Sequence, residues 1–268
     1  MIIINQLVDC LKYVHILKNL VWEDDTINDN DMALLKHEAY DNSPFDVLKL
    51  KQNVFENHTI KIVKKTSSAR VVILGYDDQI FPWTTWGRIF QAMGRPKDSQ
   101  FWQIYIYASK QNRILPETPP LGPEHVNGGY TYPCNSKAVI IYRYEEATRV
   151  LIHELLHASC TDNMSLPVEV REAATETWAE LFLIAILSKG SIQKAKQLWK
   201  IQEAYIVDLH YTLQTFYNIH KPSDYVARYT IMRTPVFNQY NIYFSKSYIP
   251  KRINISRFTS PELDKYIV

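Results

Sequence analysis

The sequence predicts an α+β fold: a small mixed sheet in the N-terminal half, then a helix carrying a candidate active site, then a helical C-terminal half. Three observations predict it. Four short runs between residues 58 and 143 are rich in β-branched and aromatic residues. From residue 145 onward the apolar positions recur with a helical period over three long stretches. No internal repeat, low-complexity tract or clear linker separates these parts, and strands first with helices later is the α+β pattern. The simplest organisation is one unit over 1–268, with a sheet-bearing part at 58–143 and a helical part at 145–232. A chain of 268 residues is long enough to bury a core of that size.

The elements follow in order. Residues 3–22 carry a helical apolar period and predict an amphipathic helix. WEDDTINDNDM (22–32) is acidic and turn-like, which predicts a surface loop, and 45–57 predicts a further helix. HTIKIVKK (58–65) alternates with period two, and RVVILGY (70–76) is a β-branched run ended by Gly75 and Asp77. TTWGRIFQAMG (84–94) predicts a short helix closing at Gly94, and FWQIYIYAS (101–109) another strand. LPETPPLGPEHVNGGYTYP (115–133) is dense in Pro and Gly and predicts a loop. KAVIIYR (137–143) reads as a buried strand. Helices are then expected at 145–160, at 168–190 closed by Lys189 and Gly190, and at 191–220.

Composition removes several classes of function. The formal net charge is only +2, from 30 basic and 28 acidic side chains, so no nucleic-acid partner is expected. There are 7 glycines and no G-x-G-x-x-G, G-x-x-x-x-G-K or G-x-S-x-G, which leaves dinucleotide, P-loop and nucleophile-elbow readings without support. Three cysteines (Cys10, Cys134 and Cys160) suggest no disulfide framework and fit a reducing compartment. The apolar start of the chain lacks a basic flank and is interrupted by Asp9, so it reads as a helix and not as a signal peptide. No run approaches a membrane span. The expected location is therefore cytoplasmic.

The segment VLIHELLHAS (150–159) carries the chemistry. His153-Glu154-Leu155-Leu156-His157 is H-E-x-x-H on an expected helix. Residues four apart share a helix face, so both imidazoles can reach one metal ion. Glu154 stands beside them as the base for a water molecule. Zinc in a catalytic site takes three protein ligands and keeps one position open. The H-E-x-x-H-x-x-G-x-x-H arrangement would need Gly at 160 and His at 163, where this chain has Cys160 and Asn163. The remaining solution is a carboxylate on the next helix, where Glu172, Glu176 and Glu180 lie four apart on one face.

H-E-x-x-H followed after 18 residues by Glu176 is similar to the gluzincin metallopeptidases, and Glu176-Thr177-Trp178-Ala179-Glu180 resembles the text around their third ligand. The resemblance spans roughly residues 137–188. It implies a zincin-like fold, one Zn2+ ion held by His153, His157 and Glu176, and a peptide or protein substrate. It also implies that the strand KAVIIYR forms the sheet edge that receives substrate. Two departures stand out: the aminopeptidase motif rich in Gly, Ala, Met and Glu is absent, and Thr175 precedes Glu176 where thermolysin-like enzymes have Asn. The run from GGYTYP to EEATRVLIHELLHA also resembles zincin-like proteins of large DNA viruses, which would place the chain in host cytoplasm or virion.

On this reading Glu154 is the general base, and a Tyr or His donor stabilises the oxyanion. Tyr229 and Tyr240 are preferred for that role, with Tyr225, Tyr243 and His210 as alternatives. Glu172 or Glu180 would orient a ligand imidazole. The competing readings are a catalytically inactive protein in which zinc staples two helices, and a metal-free interaction protein with a chance motif.

Overall fold

A computed structural model describes Ile2–Val268. The elements are α1 (Ile2–Ile16), β1 (Glu23–Asp24), α2 (Asp29–Tyr40), α3 (Leu50–Asn57), β2 (Ile60–Lys65), β3 (Ala69–Gly75), α4 (Trp83–Met93), β4 (Trp102–Tyr107), α5 (Pro123–Val126), β5 (Gly129–Thr131), β6 (Val139–Ile141), α6 (Ala147–Ala158), α7 (Val168–Leu187), α8 (Ile192–Tyr217) and α9 (Arg233–Gln239). Short 3-10 helices lie at Tyr225–Tyr229 and Pro261–Tyr266. Helices and a mixed sheet together make this an α+β fold, as the residue patterns predict. No helix among the described residues is long and apolar enough to cross a membrane.

The chain divides into two compact units. The sheet unit holds residues 18–112 and 127–161, and so includes α6. Its six strands run in the order β1-β2-β3-β4-β6-β5. The pairs β3–β4 and β4–β6 are parallel, and the others are antiparallel. All seven residues of β3 are buried, which is why 71–75 reads as a continuous apolar run and not as an alternation.

Strand residues two apart share a face. Val72, Leu74, Tyr105, Tyr107, Ile140 and Tyr142 all pack with Leu35 and Ala39 of α2 and Leu50 and Val54 of α3. The strand tyrosines bring polar tips to that layer: Tyr107 donates to the Leu35 carbonyl at 2.6 Å and Tyr105 to Asp31 at 3.2 Å. A buried phenol needs such a partner.

Several expectations are corrected here. Residues 22–32 are not a plain loop. Glu23 and Asp24 pair with Lys65 and Lys64 as an edge strand, and Asn28 starts α2 through a capping box with Asp31. Asp25 and Asp31 both receive Arg70, the latter through two bonds of 2.8 and 2.7 Å. The acidic stretch is a seat for one buried guanidinium. The Pro/Gly-rich loop contains α5 and β5. And β6, from KAVIIYR, is internal, because β5 covers its outer side and is itself the sheet edge.

The helical unit holds the residues through Leu17, then 113–126 and 162–267. Helices α1, α8 and α9 and the Tyr225–Tyr229 turn all pack on α7. One core cluster joins Leu209 and Leu213 of α8 to Leu115, Leu121, Val126, Val226 and Phe258. Ser191 caps α8 by accepting from the Lys194 amide, and Asn218 ends it in the left-handed conformation at φ 55°.

Candidate metal centre

The motif lies on α6, whose sequence ATRVLIHELLHA buries every residue except Leu156. The side chain of Glu146 does not cap the helix. Glu146 instead adopts a left-handed backbone at φ 58°, and the indole of Trp86 donates to Thr148 at 2.9 Å in the first turn. One turn separates His153 from His157, so their rings stack edge to face with centroids 4.6 Å apart. Their Nε2 atoms are 3.0 Å apart. Two nitrogens on a tetrahedral zinc ion, each at 2.0–2.1 Å, stand about 3.3 Å from one another. The imidazole pair thus fits a shared ion.

His153, Glu154 and His157 are all buried. Burying three polar groups together costs free energy unless they are paired or coordinated. Gly129 of β5 lies against the same helix. A Cβ on it would stand 2.6 Å from Val150 Cγ1, 2.8 Å from the Ile140 carbonyl oxygen and 3.3 Å from Glu154 Oε1. The close approach of strand to helix at the candidate base therefore requires glycine.

The end of α6 is clamped. The amides of Cys134 and Cys160 donate to the His157 carbonyl at 3.0 and 3.1 Å. Their sulfurs form a disulfide, with Cα atoms 4.5 Å apart. This corrects the expectation of unpaired thiols. Twenty-six residues separate the two cysteines, and only the return of the chain along β6 and α6 brings them together.

Helix α7 starts after Pro167 and carries Glu172, Glu176 and Glu180 at intervals of one turn. Glu172 is half-buried, while Glu176 and Glu180 are fully buried. Among the described residues, His153, His157 and Glu172 form a group that could hold a metal ion, each offering one ligand atom, all within 4.8 Å of one another. The carboxylate in that group is Glu172, one turn before the Glu176 that the spacing suggests. Both share a helix face, so spacing alone does not separate them. Glu180, expected to orient an imidazole, faces Arg233 at 3.5 Å in a fully buried pair.

Tyr229 stands near this carboxylate. Burial raises the pKa of its hydroxyl, and the charge of Glu172 raises it further. Tyr229 also donates to the hydroxyl of Tyr225 at 3.4 Å. The guanidinium of Arg228 lies 4.8 Å over the Tyr225 ring and 3.7 Å from Glu169. Tyr240 packs edge-on against Trp178 at 5.1 Å and caps α9. Tyr243 is exposed. His210 is buried against Phe244, and burial together with Arg233 pushes its pKa down to about 3.

Gly129 escapes sequence reasoning, although the doubled glycine at 128–129 followed by YTY is an available signal for it. No protein-family model, curated protein or solved structure matches the chain.

Proposed function

We propose that this chain is a zinc-dependent hydrolase of peptide bonds. The observation that carries the reading is the convergence of His153, His157 and Glu172 beside the buried carboxylate of Glu154. Two imidazoles and one carboxylate are a ligand set that suits a catalytic zinc ion, because three protein ligands leave a position for water or substrate. The chemistry a bound zinc ion supplies there is Lewis acidity, which polarises the scissile carbonyl and lets water ionise near neutral pH.

The rest falls to the side chains. Glu154 takes the proton from the attacking water and delivers it to the leaving amine as the C–N bond breaks. Tyr229, kept protonated by its raised pKa, donates a hydrogen bond to the developing oxyanion. It is preferred to Tyr240 because it feels the charge of Glu172, whereas Tyr240 is packed on Trp178.

The test is metal analysis and peptide turnover on the purified chain and on Glu154→Gln. The expected result is one zinc per chain in both proteins, with turnover lower by about 10²- to 10⁴-fold in the variant. Turnover that survives the substitution overturns the role of Glu154. Zinc without any turnover in the unmodified chain supports the stapled, inactive reading, and absence of zinc supports the metal-free one.

A further inference from the structure

We propose that Lys51, Glu38 and Tyr130 form a buried anchor behind the edge strand β5, and that this anchor positions the strand against Glu154. The proposal rests on the hydrolase reading for its effect on turnover, but the anchor itself is testable without it.

The geometry begins with an unusual lysine. Lys51 lies on α3 with its side chain 1% exposed. A buried ammonium costs several kcal/mol unless partners surround it, and here they come from two directions. Its Nζ donates to the Tyr130 hydroxyl at 2.5 Å and lies 4.7 Å from the centroid of the same ring. The Glu38 carboxylate of α2 is 3.5 Å away and accepts a hydrogen bond from the same Tyr130 hydroxyl. Burial still pulls the pKa of Lys51 below the usual lysine range, against the opposing charges of Glu38, Asp46 and Asp41. One tyrosine hydroxyl therefore receives a cation from α3 and binds an anion on α2.

That tyrosine is the middle residue of β5. Three residues pair β5 with β6, and β5 has no strand on its other side. Such a short edge strand is weakly placed by its ladder alone. Tyr130 faces the α2–α3 layer, where it packs with Tyr142 and Phe45 at centroid distances of 6.3 and 5.8 Å. Gly129, one residue earlier, faces α6 at the contact with Val150 and Glu154. A pull on one face of the strand thus fixes the spacing on the other. Lys51, Glu38 and Tyr130 touch no reacting group, so they are positioning residues.

Tyr130→Phe removes the hydroxyl and keeps the ring. Lys51→Met removes the charge and keeps the length. Tyr105→Phe is the control, because it deletes a buried hydrogen bond from the same cluster, the one to Asp31, and leaves the Lys51–Tyr130–Glu38 contacts in place. Both anchor variants are expected to keep one zinc per chain and to lose about tenfold in kcat, with KM changed less than twofold, since small displacements of a catalytic group cost rate. Amide hydrogen exchange over residues 128–132 is expected to speed about tenfold in both, with β2–β4 unchanged, because exchange reads local opening. Glu38→Gln, which preserves an acceptor for Tyr130, is expected to retain more activity than Glu38→Ala. Tyr105→Phe is expected to lower the unfolding temperature while leaving kcat and the exchange of residues 128–132 as they are. Unchanged exchange at 128–132 in Tyr130→Phe overturns the anchor. So does an unchanged kcat in an active, zinc-loaded variant. If the unmodified chain shows no turnover, the hydrolase reading fails and exchange alone decides the anchor.

Discussion

Helices α6 and α7 supply the residues of a group that could hold a metal ion, and each helix is packed to a different degree. Eleven of the twelve residues of α6 are buried. On α7 the first buried residue is Ala173, so Glu172 belongs to the open start of its helix. The imidazoles are held by a helix surrounded on nearly all sides, roped at its end by Cys134–Cys160 and pressed by Gly129 at its centre. The carboxylate is held by a helical turn that is half in solvent. The difference teaches that a metal group can combine a preorganised half with an adjustable one, and that the two halves should respond unequally to substitution.

The largest expected effect tests that inequality directly. His157→Ala should weaken zinc binding by about 10³-fold or more, because a lost ligand is not replaced on a rigid helix. Glu172→Gln should cost less than His157→Ala, because its half-exposed turn can readjust, and Glu176→Gln should cost less again. Competition with a chelating dye gives all three. A larger loss for Glu176→Gln than for Glu172→Gln would move the third ligand back to position 176.

The next effect concerns the rope. Replacing Cys134 and Cys160 together by serine should destabilise the chain by about 3.5 kcal/mol, as expected for releasing a loop of this length. Denaturant unfolding measures it, and a change below about 0.5 kcal/mol would mean that backbone packing alone holds the end of α6.

The last effect concerns the helical unit and is confined to acid. His210 has a folded pKa of about 3, below its ordinary 6.5. Between those values the unfolded chain holds a proton that the folded chain does not. Stability should therefore fall as pH drops from 6.5 toward 3, by up to about 1.4 kcal/mol per unit from this group. His210→Gln should flatten that part of the profile, and an unaltered slope would show that the carboxylates dominate acid unfolding.

What could be read in advance follows how local each feature is. H-E-x-x-H is legible because its geometry is fixed within one helical turn. The burial of β3 is legible because VVILG (71–75) has no polar gap, although the burial of Arg70 before it is not. The choice between Glu172 and Glu176 is not legible, since both answer to the same face of α7. Helix α2 is hard to read because half of DNDMALLKHEAY is polar or charged, although the Asn28–Asp31 capping box is present in the sequence. Strand β5 was hidden because three residues inside a Pro/Gly-rich stretch become a strand only through pairing with β6. The disulfide and the burial of Lys51 are equally non-local: a lysine followed by a glutamine and an asparagine reads as solvated until α2 and β5 close over it.

The cysteine arrangement also has a consequence at the bench. Cys10 is a free, exposed thiol and invites cross-linking between molecules during purification. The usual remedy, a millimolar reductant, acts on the bridge that ropes α6 as well. A Cys10→Ser preparation handled without reductant separates the two problems and keeps the motif helix in the state described above.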